Sequence, residues 1–224
     1  IERVGTFSER SEIFGVPTLQ TQNGVDGAAV PKPSAPPADG QVRLVGVANF
    51  ATWHGYDRVI EGLARLSAET RARISLDLVG SGAETENLRA LTRARGVEHA
   101  VHFHGPLNGA PLAAVMSRAH IGLGWLGLHR IYKERSDLKT REYCAYGRPF
   151  LSDRLEKDYA SVSDYVYVCS TDDSAIDLDN VLNWHDRLEP HLVSSVLRSH
   201  AEAHLSWDSK MAPVIAWLKE RTGG

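Results

Sequence analysis

The stretch ISLDLVGSGAETENLRALTRAR, residues 74–95, passes from strand through a glycine turn to helix, and that transition decides the fold. Residues 74–79 read as a strand, Gly80 and Gly82 sit in the turn, and residues 84–95 read as a helix carrying Leu88 and Leu91. The same alternation extends in both directions. Ahead of it, residues 43–48 (RLVGVA) form a strand candidate, and residues 56–69 a helix with Val59, Ile60, Leu63 and Leu66 on one face. Behind it come strands at 101–103, 120–125, 149–152 and 165–169, with helices at 111–117 and 140–146. Short strands alternating with helices predict an α/β fold: a Rossmann-like parallel sheet with helices on both faces. Such a sheet binds ligands at the carboxyl ends of its strands, beside the switch in strand order. Two further helices, 190–205 and 209–221, end the chain.

Composition narrows the class. Apolar residues at 42% and charged residues at 24% describe an ordinary globular protein, and 224 residues can bury a large core. A formal charge of −3 gives no reason to expect nucleic acid across the surface as a whole. Cys144 and Cys169 are the only cysteines and make no CxxC, so a reducing, cytoplasmic compartment is expected, and neither a disulfide framework nor a thiolate zinc site. The chain shows no apolar run of spanning length and no leader, and it opens on Ile1 rather than Met, which suggests that upstream sequence is missing. Residues 1–28 predict a short helix at 9–14 capped by Ser8, a short strand, and a turn at Asn23-Gly24. Residues 29–41 carry Pro31, Pro33, Pro36 and Pro37 and read as an extended linker. The Asp-rich patch at 172–180 lacks the EF-hand spacing and reads as a solvated turn and helix cap.

Three places carry chemistry. In VGSGAE the glycines permit close approach, and the helix start offers amides to a phosphate; an ordinary turn explains the motif equally well. In NFATWHGYD, residues 49–57, His54 stands at a strand-to-helix junction with Arg58 nearby as a donor; the alternative is that Trp53 packs on the core edge and His54 caps the turn. The third is ERSDLKTRE, residues 134–142. If a loop precedes a helix starting near Leu138 or Lys139, then the Ser136 hydroxyl, the Leu138 and Lys139 amides and the Lys139 ammonium make a diphosphate cradle, with Glu134 and Glu142 facing the same crevice. A solvated charged face is the competing reading.

The spacing of Glu134 and Glu142 resembles the E-x7-E signature of retaining GT-B glycosyltransferases of the family 4 branch, the glycosyl transferases group 1. The order of QNGVD (22–26), VGVANF with WHG, DLVGSGAE, VHFHGPL, the E-x7-E segment closed by YGRPF, and a last helix opening at Trp207 is also similar to that family. The resemblance implies the C-terminal half of a GT-B fold: residues 1–28 a remnant of the first domain and its connection, 29–41 the linker, 42–205 the donor-binding domain and 206–224 the C-terminal helix. It implies a UDP- or GDP-sugar as donor, with no cofactor or metal required. The hexose would pass, with retention, to a saccharide or lipid-linked acceptor held through the missing first domain. It allows peripheral membrane association of the full-length protein, and it leaves the isolated chain without transfer activity.

By the same resemblance Glu134 would position the donor sugar as the catalytic carboxylate and Glu142 would bind the ribose. Ser136, Leu138 and Lys139 would hold the distal phosphate, and His102, His104 and Leu107 would lie near the base. Gly80 and Gly82 would leave room for the nucleotide. Where the family commonly has a phosphate-contacting arginine and lysine, this chain has Val47 and His54, so phosphate binding would lean on Arg58 and Lys139. Two competing expectations are a non-catalytic sugar-nucleotide or assembly module, and a dinucleotide-dependent oxidoreductase, although the glycines follow the second strand rather than the first.

Overall fold

The structure, a computed structural model, describes residues 2–7, 10–32, 35–131 and 137–222. Its first element is not the helix expected over 9–14. Strands β1 (Val4–Thr6), β2 (Glu12–Ile13) and β3 (Val16–Gln20) form a small sheet in the order β1-β3-β2, with β2 and β3 antiparallel. Phe14 at φ 49° and Gly15 at φ 77° make the two-residue connection between them, the twist that a tight hairpin requires. A six-residue helix cannot offset the entropy of nucleation, and the Phe14-Gly15 turn wins. Past β3, Gly24 admits the backbone of Trp207: a Cβ there would lie 2.6 Å from Trp207 Cα. The Val25 amide donates to the Leu205 carbonyl at 2.8 Å, so this segment is docked on the C-terminal helices.

The main sheet contains β4 (Val42–Asn49), β5 (Ile74–Ser81), β6 (Val101–Gly105), β7 (Ile121–Leu123), β8 (Phe150–Ser152) and β9 (Val166–Val168). All pair in parallel, in the order β6-β5-β4-β7-β8-β9. Successive residues of a strand face opposite sides, and each side has its own core. Leu44, Leu78 and Leu151 meet α1 (Tyr56–Arg65), α3 (Thr85–Ala94) and α6 (Leu178–His185) through Val59, Leu63, Leu88 and Val181. Their neighbours Val45, Val79 and Phe150 meet α4 (Gly109–Arg118), α5 (Leu138–Ala145) and α7 (Pro190–His204) through Met116, Tyr143 and Leu197. The expected helix over 56–69 is two: Leu66 turns extended, and the Ser67 hydroxyl caps α2 (Ala68–Arg71) by accepting the Thr70 amide at 3.1 Å. The last helix, α8 (Trp207–Thr222), buries none of its residues and packs on α7 and β3.

The proline-rich stretch is tied down where it is described. His120 Nδ1 accepts the Arg43 amide at 3.1 Å and its Nε2 donates to the Pro37 carbonyl at 3.2 Å, which needs the neutral ring; burial holds its pKa down to about 4. The Asp-rich patch is a turn and a helix cap, as expected: Asp172 accepts the Ser174 amide at 2.8 Å, and Asp177 caps α6 through the Asn180 amide at 3.0 Å.

The two centre strands, β4 and β7, pair only at Leu44 with Ile121 and Val45 with Gly122. Beyond those pairs the buried hydroxyl of Tyr143 stands between them, accepting from the Val47 amide and donating to the Leu123 carbonyl, both at 3.2 Å. Gly122 makes this possible, because a Cβ at that position would overlap the Tyr143 ring. We expect Tyr143→Phe, which strands a buried donor and a buried acceptor, to cost about 2 kcal/mol. Gly122→Ala, which forces the ring out, should cost about 3 kcal/mol. Urea unfolding measures both, and wild-type stability for either would contradict this arrangement.

Candidate functional site

A parallel sheet presents an open crevice where its strand order reverses, and here that place lies between β4 and β7. A cleft of about 390 Å³ occupies it, lined by Asn49, Phe50, Ala51, Trp53, His54, Ala83 and Trp125. The lining residues follow the carboxyl ends of β4, β5 and β7. A larger cavity of about 680 Å³ lies between β3, residues 154–158 and α8, away from those strand ends. Several of its charges are already paired: Lys210 with Asp158 at 2.7 Å, and Asp158 in turn with Arg141 at 2.8 Å. We assign the candidate site to the β4/β7 cleft on topology and chemistry rather than size.

His54 is buried in the wall of this cleft, at the end of a short 3-10 turn spanning Thr52–His54. Its Nδ1 lies 3.1 Å from the Ala51 amide, and its ring stacks on Tyr56 with centroids 5.5 Å apart. His54 thus caps its own turn, one of the two expected readings, and also lines the cleft. Gly55, at φ 67°, redirects the chain into α1.

Arg58 does not reach the cleft. Its side chain is fully buried and its donors are taken by protein: Nε by the Ser174 carbonyl at 2.7 Å, Nη2 by the Ser170 carbonyl and hydroxyl at 3.0 and 2.8 Å, and Nη1 by the Leu126 carbonyl. It is a strut joining α1 to the loops after β7 and β9, and the expected phosphate role is corrected accordingly. The glycines of VGSG are corrected too. A Cβ on Gly80, at φ 122°, would overlap the Ala48 carbonyl, and one on Gly82 would overlap the Phe50 backbone. The space beside both is filled by the β4 strand end, so they serve chain packing. The Gly82 amide donates to Thr85 Oγ1 at 2.8 Å and the Glu84 amide to the Phe50 carbonyl at 3.1 Å, so neither is left for a phosphate.

At the start of α5, Asp137 is 2% exposed and caps the helix by accepting the Lys139 amide at 3.0 Å. That amide, expected to receive phosphate, is therefore occupied. The Lys139 ammonium lies 3.6 Å from Asp137 Oδ1 and 5.4 Å from the centroid of Trp125, which carries it to the cleft wall; burial lowers its pKa. Leu138 is 42% exposed. Glu142 is half-buried one turn further on, and burial, with Asp137 nearby, raises its carboxyl above the ordinary value. Glu134 and Ser136 lie outside the described residues. His102 and His104 are exposed on the edge strand β6, His104 Nε2 resting 2.6 Å from Asp77 Oδ1; Leu107 packs against the second core. None of the three lines the cleft.

Sequence reasoning passed over Arg141, fully buried on α5. Its guanidinium donates to the Asn23 carbonyl and the Asp137 carbonyl at 2.7 Å each and pairs with Asp158, so it binds the N-terminal segment to the helix that approaches the cleft. Spacing offered no signal for this role, because its acceptors are the backbone carbonyls of Asn23 and Asp137 and the carboxylate of Asp158, seventeen positions on. Among the described residues no group of three or more His, Cys, Asp or Glu could hold a metal ion, and no helix is long and apolar enough to cross a membrane.

Residues 32–123 match the family model described as Glycosyl transferases group 1. No curated protein sequence matches the chain. Among solved structures, sucrose-phosphate synthase of Thermosynechococcus elongatus superposes with a TM-score of 0.70 at 18% identity, over 93% of this chain and 53% of that one. The glycosyltransferase WaaG of lipopolysaccharide biosynthesis gives 0.63 at 19% identity, over 92% and 57%. Anabaena HepE, in complex with UDP and glucose, gives 0.64 at 14% identity, over 91% and 57%. The chain thus spans a little over half the length of these proteins. Taken together, the strand order and the superpositions show that the chain has the Rossmann-like fold of a C-terminal GT-B domain, and residues 32–123 are similar to the Glycosyl transferases group 1 model.

Proposed function

We propose that this chain is the donor-binding domain of a retaining glycosyltransferase that moves a hexose from a UDP- or GDP-sugar to a saccharide or lipid-linked acceptor. The observation that carries this reading is the aromatic-lined cleft at the β4/β7 reversal, with the Lys139 ammonium against its Trp125 wall. The UDP and glucose bound by HepE support it, as a property of a protein with the same fold. In this reading residues 42–205 hold the donor, residues 1–28 and 206–224 belong to the junction with a first domain, and 29–41 connect them. The acceptor is held by that first domain.

Each residue then has a chemical task. Glu142 accepts hydrogen bonds from the ribose hydroxyls, and Glu134 orients the donor sugar. Ser136, Leu138 and Lys139 hold the diphosphate, and the backbone around His102, His104 and Leu107 approaches the base. His54 closes the cleft beneath the sugar. As the glycosidic bond breaks, negative charge grows on the departing diphosphate, and the desolvated Lys139 ammonium stabilises it more strongly than an exposed lysine would. The leaving phosphate takes the acceptor's proton on the same face of the sugar, which retains configuration without a covalent enzyme intermediate.

Thermal-shift titration with UDP, GDP, ADP, their sugars and NAD tests the reading. Stabilisation by one nucleoside diphosphate and its sugar is expected; stabilisation by NAD alone, or by none, contradicts it. Glu142→Ala should weaken the effective nucleotide about tenfold or more, from a loss of about 1.5–3 kcal/mol in charge-assisted hydrogen bonds. Unchanged affinity would remove Glu142 from the ribose.

The same carboxylate makes a pH prediction for the free chain. Its folded pKa is raised above the ordinary 4.5, so folding favours the protonated form, and the associated stability is present below that value and lost as pH rises through the folded pKa. Glu142→Gln should therefore melt about 2 °C above wild type at pH 7, with the gap closing below about pH 4. A gap independent of pH would contradict the burial assigned to this carboxyl.

A further inference from the structure

Asp137 is a buried carboxylate of the site with one of its two oxygens unsatisfied. It is 2% exposed, one oxygen caps the Lys139 amide at 3.0 Å and lies 3.6 Å from the Lys139 ammonium, and the other, Oδ2, is buried without a hydrogen-bond partner. Oδ2 packs beside Gly124 at the carboxyl end of β7, 3.2 Å from where a Cβ would stand. A buried carboxylate oxygen with no donor is costly, and the groups that its partner oxygen engages are an amide in the first turn of α5 and a desolvated ammonium beside Trp125 of the cleft wall. Those are the groups that a phosphate takes at a helix start. Glu142, whose carboxyl is pushed up partly by Asp137, adds a second negative charge on the same helix.

We propose that Asp137 is a built-in competitor for the donor's diphosphate: its carboxylate occupies the α5 amide and the Lys139 ammonium in the free protein, and donor binding must displace it. The proposal rests on the donor-binding reading above. It explains how the crevice keeps a desolvated lysine paired before a ligand arrives, and it makes Asp137 a residue that sets donor affinity rather than one that supplies binding energy. The half-satisfied carboxylate favours the exchange, because leaving the pocket restores solvent to Oδ2 while two phosphate oxygens replace it at Lys139.

The test is calorimetric titration of UDP, GDP, ADP, inorganic pyrophosphate and the parent nucleosides into the chain, with Asp137→Asn and Asp137→Ser beside the wild type; the outcomes given for UDP and uridine apply to whichever nucleotide binds and its nucleoside. Both variants keep an N-cap acceptor for the Lys139 amide, so the fold survives and melting temperatures verify it. UDP and pyrophosphate should bind both variants about tenfold more tightly, in keeping with removal of a close like charge, while uridine affinity stays unchanged. Equal or weaker UDP binding by the variants overturns the competition and leaves the donor-binding reading standing. A parallel gain for uridine overturns it as well, because the effect is then one of shape and not of charge. Failure of UDP, GDP and ADP to bind any of the three proteins removes the donor reading, and the competition with it.

Discussion

The hydroxyl of Tyr143 sits where the parallel ladder between β4 and β7 stops, and the geometry of the site follows from that placement. By accepting from Val47 and donating to Leu123, it satisfies the two backbone groups that parting the strands would otherwise leave buried and unpaired. It can do so only because Gly122 presents no side chain to the ring. Tyr143 is also a core residue of α5, so the wedge that opens the crevice fixes the helix whose first turn meets it. Strand separation, helix position and the location of Asp137, Lys139 and Glu142 are consequences of one buried contact set.

Around this centre three arginines are buried and act as braces. Arg58 gathers carbonyls from the loops after β7 and β9, and Arg141 joins residue 23 to the start of α5 and to Asp158. Arg148 donates to the Met116 and Ser117 carbonyls, with burial lowering its pKa to about 10. A guanidinium can serve several carbonyls at fixed angles, which suits it to pinning irregular chain. Arg58 holds the loop that carries Trp125 through the Leu126 carbonyl, and these three guanidinium groups are engaged by protein rather than presented to a phosphate. Lys139 differs from them in lying against Trp125, a residue of the cleft wall.

Much of this was legible in the sequence. The alternation of residues such as Leu44 and Val45, or Leu78 and Val79, is a consequence of a sheet covered on both faces, and it marks the strands without any knowledge of their order. The hairpin at Phe14-Gly15 was missed because a six-residue stretch with a serine before it satisfies helix-capping rules as readily as turn rules. Gly80 and Gly82 were read toward a nucleotide, when the obstruction they avoid comes from Ala48 and Phe50, contacts that depend on the register of β4 and β5. Arg58 failed as a ligand for a similar reason: its neighbours in space, Ser170 and Ser174, are over a hundred positions away. Lys139 and Glu142 could be placed because helix geometry alone puts them in the first turns of α5. The capping role of Asp137 was hidden by attention to the glutamates on either side of it.

The most direct measurement is a crystal structure of this chain with UDP. The account predicts the diphosphate at the first turn of α5 beside the Lys139 ammonium, the ribose on Glu142, and the Asp137 carboxylate withdrawn from the Lys139 amide. UDP bound at the start of α3, or in the cavity between β3 and α8 with the β4/β7 cleft left unfilled, would contradict it.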